Sequence, residues 1–152
     1  MSEQQIAFIK ARQSEIEQLK QTQLIFLDFV KQNNNAYRLN SAFSVNDDGI
    51  STTCFGHVLK SQQKYFLSKD GQLAIEYAFY ADNAGEELLI WSFVLHSDQK
   101  ISFINATGDF ERFRKIGIDA PNLAEELSIQ LHAATFGSML FVRADRSEDH
   151  LD

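Results

Sequence analysis

The chain is short of cysteine, of positive charge and of long apolar runs, and each shortage removes a class of function. A single cysteine, Cys54, among 152 residues excludes an intrachain disulfide and any cysteine-cluster zinc or iron–sulfur site. It also favours a reducing compartment. No window approaches the roughly 18 to 20 apolar residues that a bilayer span requires. The opening MSEQQIAFIKARQSE reaches charge at once and lacks the basic head and apolar run of a secretory signal. The expectation is a cytoplasmic protein with no membrane partner. The triplet Asn105-Ala106-Thr107 matches a glycosylation acceptor, but without an export signal it reads as part of a turn.

Basic residues number 14 against 21 acidic ones, a formal charge of -7 at pH 7. Residues 1–36 carry four of each sign, 37–108 carry eight acids and five bases, and 109–152 carry nine and five. No basic domain hides inside the acidic total, and nucleic acid, which is held largely through its phosphate charge, is not an expected partner. The four histidines, His57, His96, His132 and His150, have no zinc-protease spacing. Asp47-Asp48-Gly49 lacks the alternating oxygen ligands and closing Glu of a calcium loop and reads as a turn. Neither a metal nor a cofactor is expected.

What is present fits one domain over residues 1–152, with a flexible acidic tail over 145–152. From Glu3 to Lys31 there is no proline or glycine, and Ile9, Ile16, Leu19, Phe26 and Val30 fall on one helical stripe. At 1.5 Å per residue a helix of about 29 residues would be roughly 43 Å long, against a radius of gyration of about 15 Å for the whole chain. An unbroken helix would span or overhang the body, leaving its first turns to a partner or a second copy; the other reading is a kink or a shorter helix. The asparagines at 33–35 should stop it.

Strands are expected next. YRLNSAFSVNDDG, ISTTCFGHVLK and QKYFLSK are separated by turn signals. In GQLAIEYAFYADNAGEELLIWSFVLH, Leu73, Ile75, Tyr77 and Phe79 alternate with smaller residues, as do Leu89, Trp91, Phe93 and Leu95. These bulky faces should coincide beneath the N-terminal helix, with Glu76, Tyr80 and His96 on the mixed face. KISFINATG adds a strand. GDFERFRKIG is expected as a short helix, DAPNLAEELSIQLHAATFG as a longer one opened by an Asn122–Glu125 capping box, and SMLFVRAD as a last strand or the end of that helix, the strand being preferred because MLFV follows a glycine. The fold class is α+β: a long N-terminal helix packed on a five- or six-stranded, mainly antiparallel sheet, with a C-terminal helix.

No constellation commits the chain to catalysis, and whether it is an enzyme stays open. Cys54 and His57 could pair as nucleophile and base, but three residues apart on a regular strand they face opposite ways; a buried cysteine is the plainer reading. Arg112, Arg114 and Lys115 beside Phe110 and Phe113 form the one local basic cluster. The leading expectation is noncatalytic protein binding or self-association, as a small chaperone, adaptor or inhibitor, through Ile6, Ile9 and Ile16 of the helix and through Arg112 and Arg114. The alternative is a small-ligand or enzyme cavity between sheet and helix at Glu76, Tyr80 and His96, with Tyr77 and Trp91 nearby.

Overall fold

The structure, a computed structural model, describes residues 2–32, 35–36, 41–46, 49–104, 106, 111–116 and 120–142. The expected turn at Asp47-Asp48, the Asn105-Ala106-Thr107 triplet, Phe110, His150 and the tail over 145–152 lie wholly or partly outside those residues.

Helix α1 runs without a break from Glu3 to Gln32, 30 residues, or about 45 Å at 1.5 Å per residue. A reciprocal cap opens it: the Gln5 N–H donates to Ser2 Oγ at 3.2 Å and the Ser2 N–H donates to Gln5 Oε1 at 3.0 Å. Each bond satisfies a backbone donor that the first turn would otherwise leave unpaired. Strands β1 (Asn35–Ala36) and β2 (Ser41–Ala42) pair with each other. Then come β3 (Ser44–Asn46), β4 (Gly49–Cys54), β5 (His57–Leu67), β6 (Leu73–Asn83), β7 (Glu86–His96), β8 (Lys100–Ile104) and β9 (Glu111–Lys115), followed by helix α2 (Ala120–Phe136). The seven strands β3 to β9 form one curled antiparallel sheet in chain order.

The architecture is the expected α+β arrangement, but the sheet has seven strands rather than five or six. ISTTCFGHVLK is a tight hairpin, with Phe55 and Gly56 at φ 51° and 82° between Cys54 and its partner His57. Positive φ at both central residues matches the right-handed twist of the flanking strands, yet a bulky residue rarely adopts it. The Phe55 ring offsets that strain by lying against His132, Phe136 and Phe141 at 5.3, 6.0 and 5.8 Å between centroids. Residues 111–115, expected as a short helix, are β9 instead. The β8 backbone supplies the partner, and Arg114 and Ile116 turn toward α2 and the core. The C-terminal segment is corrected too: residues 138–142 make a turn, not a strand. Ser138 Oγ donates to the Thr135 carbonyl at 2.6 Å and accepts from the Leu140 N–H at 3.2 Å. Helix α2 starts at Ala120, so Asn122 lies inside its first turn rather than ahead of it.

The bulky faces of β6 and β7 do coincide, with Ile75 opposite Leu95, Tyr77 opposite Phe93 and Phe79 opposite Trp91. A bulge after Phe79 then shifts the register, and Leu89 pairs with Tyr80 on the other face, 54% exposed instead of in the core. Both helices contribute to a single core. Leu19, Phe26, Phe29 and Val30 of α1 and Leu123, Leu127 and Leu131 of α2 are buried with the inward residues of the sheet. Among the described residues no helix is long and apolar enough to cross a membrane.

Candidate functional site

Helix α1 has two unlike halves. From Leu19 onward it is seated. Phe26 packs on Tyr77 and Phe93, each at 5.5 Å between centroids. Thr22 Oγ1 donates to the Ser97 carbonyl at 3.0 Å, and Gln23 Nε2 donates to the Tyr77 hydroxyl oxygen at 2.9 Å. Burial pushes the Tyr77 hydroxyl up to about 12, against the opposing pull of the Gln23 bond, and Tyr65 adds a smaller upward push. Tyr65, paired with Ile75, is the diagonal neighbour of Tyr77 on this face of the sheet, and Gln23 and Ile16 are one seven-residue repeat apart on α1.

Arg12 marks the limit of the seat. Its guanidinium donates to the Gly71 carbonyl in the β5–β6 turn at 3.0 Å and to Glu15 at 2.7 Å, and it lies 5.4 Å from the centre of the Phe8 ring. That turn is well braced. Gly71 takes φ 83° and donates its N–H to the Ser68 carbonyl, while the Ser68 and Asp70 side chains bond each other, which holds the exposed Asp70 carboxyl below its ordinary range. Beyond Arg12 the helix continues into solvent, and every residue from Ser2 to Ala11 is exposed.

The overhang is not polar. Ile6, Phe8 and Ile9 are 41%, 62% and 43% exposed. Tyr65 and Leu67 at the end of β5 add 48% and 58%. They pair with Ile75 and Leu73 and so share the helix-bearing face of the sheet, yet α1 leaves them open. The five side chains stand about a corner between the departing helix and the end of β5, with Ile6 and Phe8 about 160° apart round the helix and Ile9 between them. Two of the three predicted helix contacts, Ile6 and Ile9, lie in it, and Ile16 is half-buried at its inner margin. Phe8, Tyr65 and Leu67 were missed. Phe8 stands about five 3.6-residue turns before Phe26, on the same helical line, which was the available signal.

Arg114, expected to face a partner, is instead an internal clamp: its Nε and Nη2 donate to Glu126 of α2 at 2.7 and 3.0 Å. A two-residue strand period turns it inward, where a helical period would have put it outside. The Arg112 backbone pairs with Phe103, and its side chain lies outside the described ones.

Glu76, Tyr80 and His96 share the sheet face opposite the helices, as their pairing with Lys64, Lys60 and Ala74 requires. They do not converge. Glu76 meets Lys64 at 3.5 Å, and His96 Nε2 meets Ser102 Oγ at 2.8 Å. Tyr80 borders an open groove of about 640 Å³ with Lys60, Gln62, Asp82 and Glu87, and Glu76 borders another of about 450 Å³. Tyr77 and Trp91 are buried, and the Trp91 indole N–H donates to the Ile104 carbonyl at 2.9 Å.

Cys54 is buried, and its sulfur lies 3.6 Å from His132 Nδ1 rather than against a base on its own hairpin. That nitrogen donates to the Ser128 carbonyl at 2.8 Å, so it already carries a proton and cannot take one from the thiol. Burial pushes Cys54 up to about 11, partly opposed by the Thr135 hydroxyl. A neutral, enclosed thiol is no nucleophile. No group of three or more His, Cys, Asp or Glu among the described residues could hold a metal ion.

The chain matches no known protein family, curated protein or solved structure. The corner is thus weighed on its own physics. A helix of about ten residues with nothing packed against it is marginal in water, because propagation barely repays nucleation. An apolar surface kept on such a segment needs cover to be stable.

Proposed function

We propose that this chain is a noncatalytic protein-binding domain, and that the corner formed by the α1 overhang and the end of β5 is its docking surface. The exposed Phe8, with Ile6 and Ile9 on a stretch of helix that has no tertiary neighbour among the described residues, is the observation that supports this reading. Contiguous apolar surface on a folded domain marks interaction sites, and aromatic anchors supply a large part of interface energy. The five side chains leave bonding patterns in the body untouched, so a partner could cover them without refolding the domain. A cytoplasmic location goes with this reading, on the strength of one enclosed reduced cysteine. A nucleic-acid partner does not, since acidic residues outnumber basic ones 21 to 14 and Arg12 already holds Gly71 and Glu15.

A photo-crosslinking amino acid placed at position 8 in the full chain tests the proposal in cells. Position 8 should give discrete crosslinked protein species. Position 7, about 160° round the helix from Ile9 and about 100° from Ile6 and Phe8 at 100° per residue, should not. No product at position 8, or equal products at both, would overturn it.

The groove at Tyr80 favours a second reading, a polar small ligand held by Lys60, Gln62 and Tyr80 on the open face of the sheet. Native mass spectrometry of the gently purified protein would detect such a ligand, and Tyr80→Ala should release it.

A further inference from the structure

We infer that the occupant of the corner is a second copy of this chain, its α1 lying antiparallel with the two-fold axis at Ile9. The inference rests on the protein-binding reading above and names the partner. Its basis is a seam that matches itself when reversed. Along α1 two series recur every seven residues, Gln5, Arg12, Leu19 and Phe26 in one and Ile9, Ile16, Gln23 and Val30 in the other. This is the spacing with which helices pack side by side. The inner part of the seam is used against the sheet, where Leu19 and Phe26 are buried. The outer part is centred on Ile9, with glutamines four residues away on each side, Gln5 and Gln13.

Reversal about Ile9 sets Ile9 against its own copy and Gln5 of each chain against Gln13 of the other. Gln5 Oε1 accepts from the Ser2 N–H, and its amide nitrogen is then the group that donates to the Gln13 carbonyl oxygen across the pair. A self-complementary patch of this kind closes after two copies and leaves nothing to propagate. Reach agrees with this register. The ten exposed residues from Ser2 to Ala11 span about 15 Å, and Ser2 of the copy arrives opposite Ile16, beside Tyr65 and Leu67.

Charge permits the pairing although the chain is acidic overall. Arg12 is the one charged side chain of the outer seam, and Glu15 already neutralises it. By the 100° step, Glu3, Lys10 and Glu17 lie about 80° to 120° from Ile9, on one flank of the seam rather than on its contact line. Five half-exposed side chains losing roughly 80 Å² each would bury about 800 Å² over both copies, half of a standard interface. The dimer is accordingly weak, with a dissociation constant on the order of tens of micromolar.

Sedimentation of the full chain from low to several hundred micromolar concentration should show the mass rising from 17.3 kDa toward twice that value. Ile9→Asp should raise the dissociation constant more than tenfold with an unchanged circular dichroism spectrum and melting temperature. Register is read with a short bismaleimide linker. Ile9→Cys should crosslink to itself, whereas Gln5→Cys and Gln13→Cys should each stay monomeric alone and crosslink when mixed. Cys54 is buried and stands aside. A monomer at every concentration with no Ile9→Cys product overturns the inference. If position 8 still captures a different protein in cells, the protein-binding reading survives that result. If it captures nothing, both fall.

Discussion

The two halves of α1 carry similar sequences and meet opposite fates. Both present large apolar residues on one seven-residue seam, and both are rich in glutamine and balanced in charge. Leu19 and Phe26 are fully buried, whereas Phe8 and Ile9 are 62% and 43% exposed. The difference is not in the helix. It lies in where the sheet ends, at the β5–β6 turn that Arg12 grips. An amphipathic stripe states that a helix needs a partner along its length, and this sheet supplies one for little more than half of it.

Truncation should separate the halves most sharply. Phe26→Ala removes a ring packed on Phe29, Tyr77 and Phe93, and should cost about 3 to 5 kcal/mol in urea denaturation. Phe8→Ala at dilute concentration should change stability by less than about 0.5 kcal/mol. Equal costs would mean that the overhang is packed in the monomer and would erase the contrast.

Alkaline titration sharpens it from the chemical side. The core holds Tyr77, beneath the seated half of α1, and Cys54, beneath α2, neutral, with values pushed up from 10.0 to about 12 and from 9.0 to about 11. In the unfolded chain these groups ionise first, so the folded state binds more protons and loses stability as pH rises from about 9 to 12. Each two-unit shift corresponds to roughly 2 to 3 kcal/mol. Tyr77→Phe should cost about 1 kcal/mol at pH 7 by removing the Gln23 bond, yet abolish its share of the loss between pH 10 and 12. Ile9→Asp, on the overhang, should leave the alkaline slope unchanged.

The boundary itself should be movable. Arg12→Ala deletes the bonds to Gly71 and Glu15, and for a third-exposed side chain the loss should be about 1 kcal/mol or less. Amide exchange should quicken from Arg12 to Ile16 while Leu19 to Val30 keep their protection. Unchanged exchange there would show that Arg12 does not set the limit.

How much of this could be read from the sequence depends on whether each feature is local. The helix, its stripe and the facing registers of β6 and β7 follow from periods of 3.6 and 2 in long segments, and they were legible. The β4–β5 hairpin was not, because Phe55 occupies a position that turn chemistry gives to Asn, Asp or Gly, and only its contacts with α2 and Phe141 make that tolerable. Five residues are too few to tell a strand period from a helical one at β9, so Arg114 was turned outward on paper and inward in the fold. MLFV has strand composition, but the Ser138 hydroxyl and the seat of Phe141 against His57 close a turn there. At the corner, Ile6 and Ile9 were legible from helix length against body size. Tyr65 and Leu67 alternate like any core residues, and nothing local reveals that α1 crosses the sheet without covering them.

The smallest effect tests whether the overhang is a helix in its own right. Ser2 and Gln5 cap each other at its very start, and in a helix packed along its whole length a lost cap costs about 1 kcal/mol of global stability. Here the capped turns pack on nothing among the described residues, so they can fray before the body unfolds, and the effect of removing the cap stays local. Ser2→Ala should therefore shift the melting temperature by less than about 1 °C. Its signature should be faster amide exchange from Ile6 to Ile9 in dilute protein. At concentrations where two copies pair, the same amides should slow in the wild type, because the partner now opposes fraying. The variant should associate more weakly than the wild type, since each copy must first order the turns that it brings to the other.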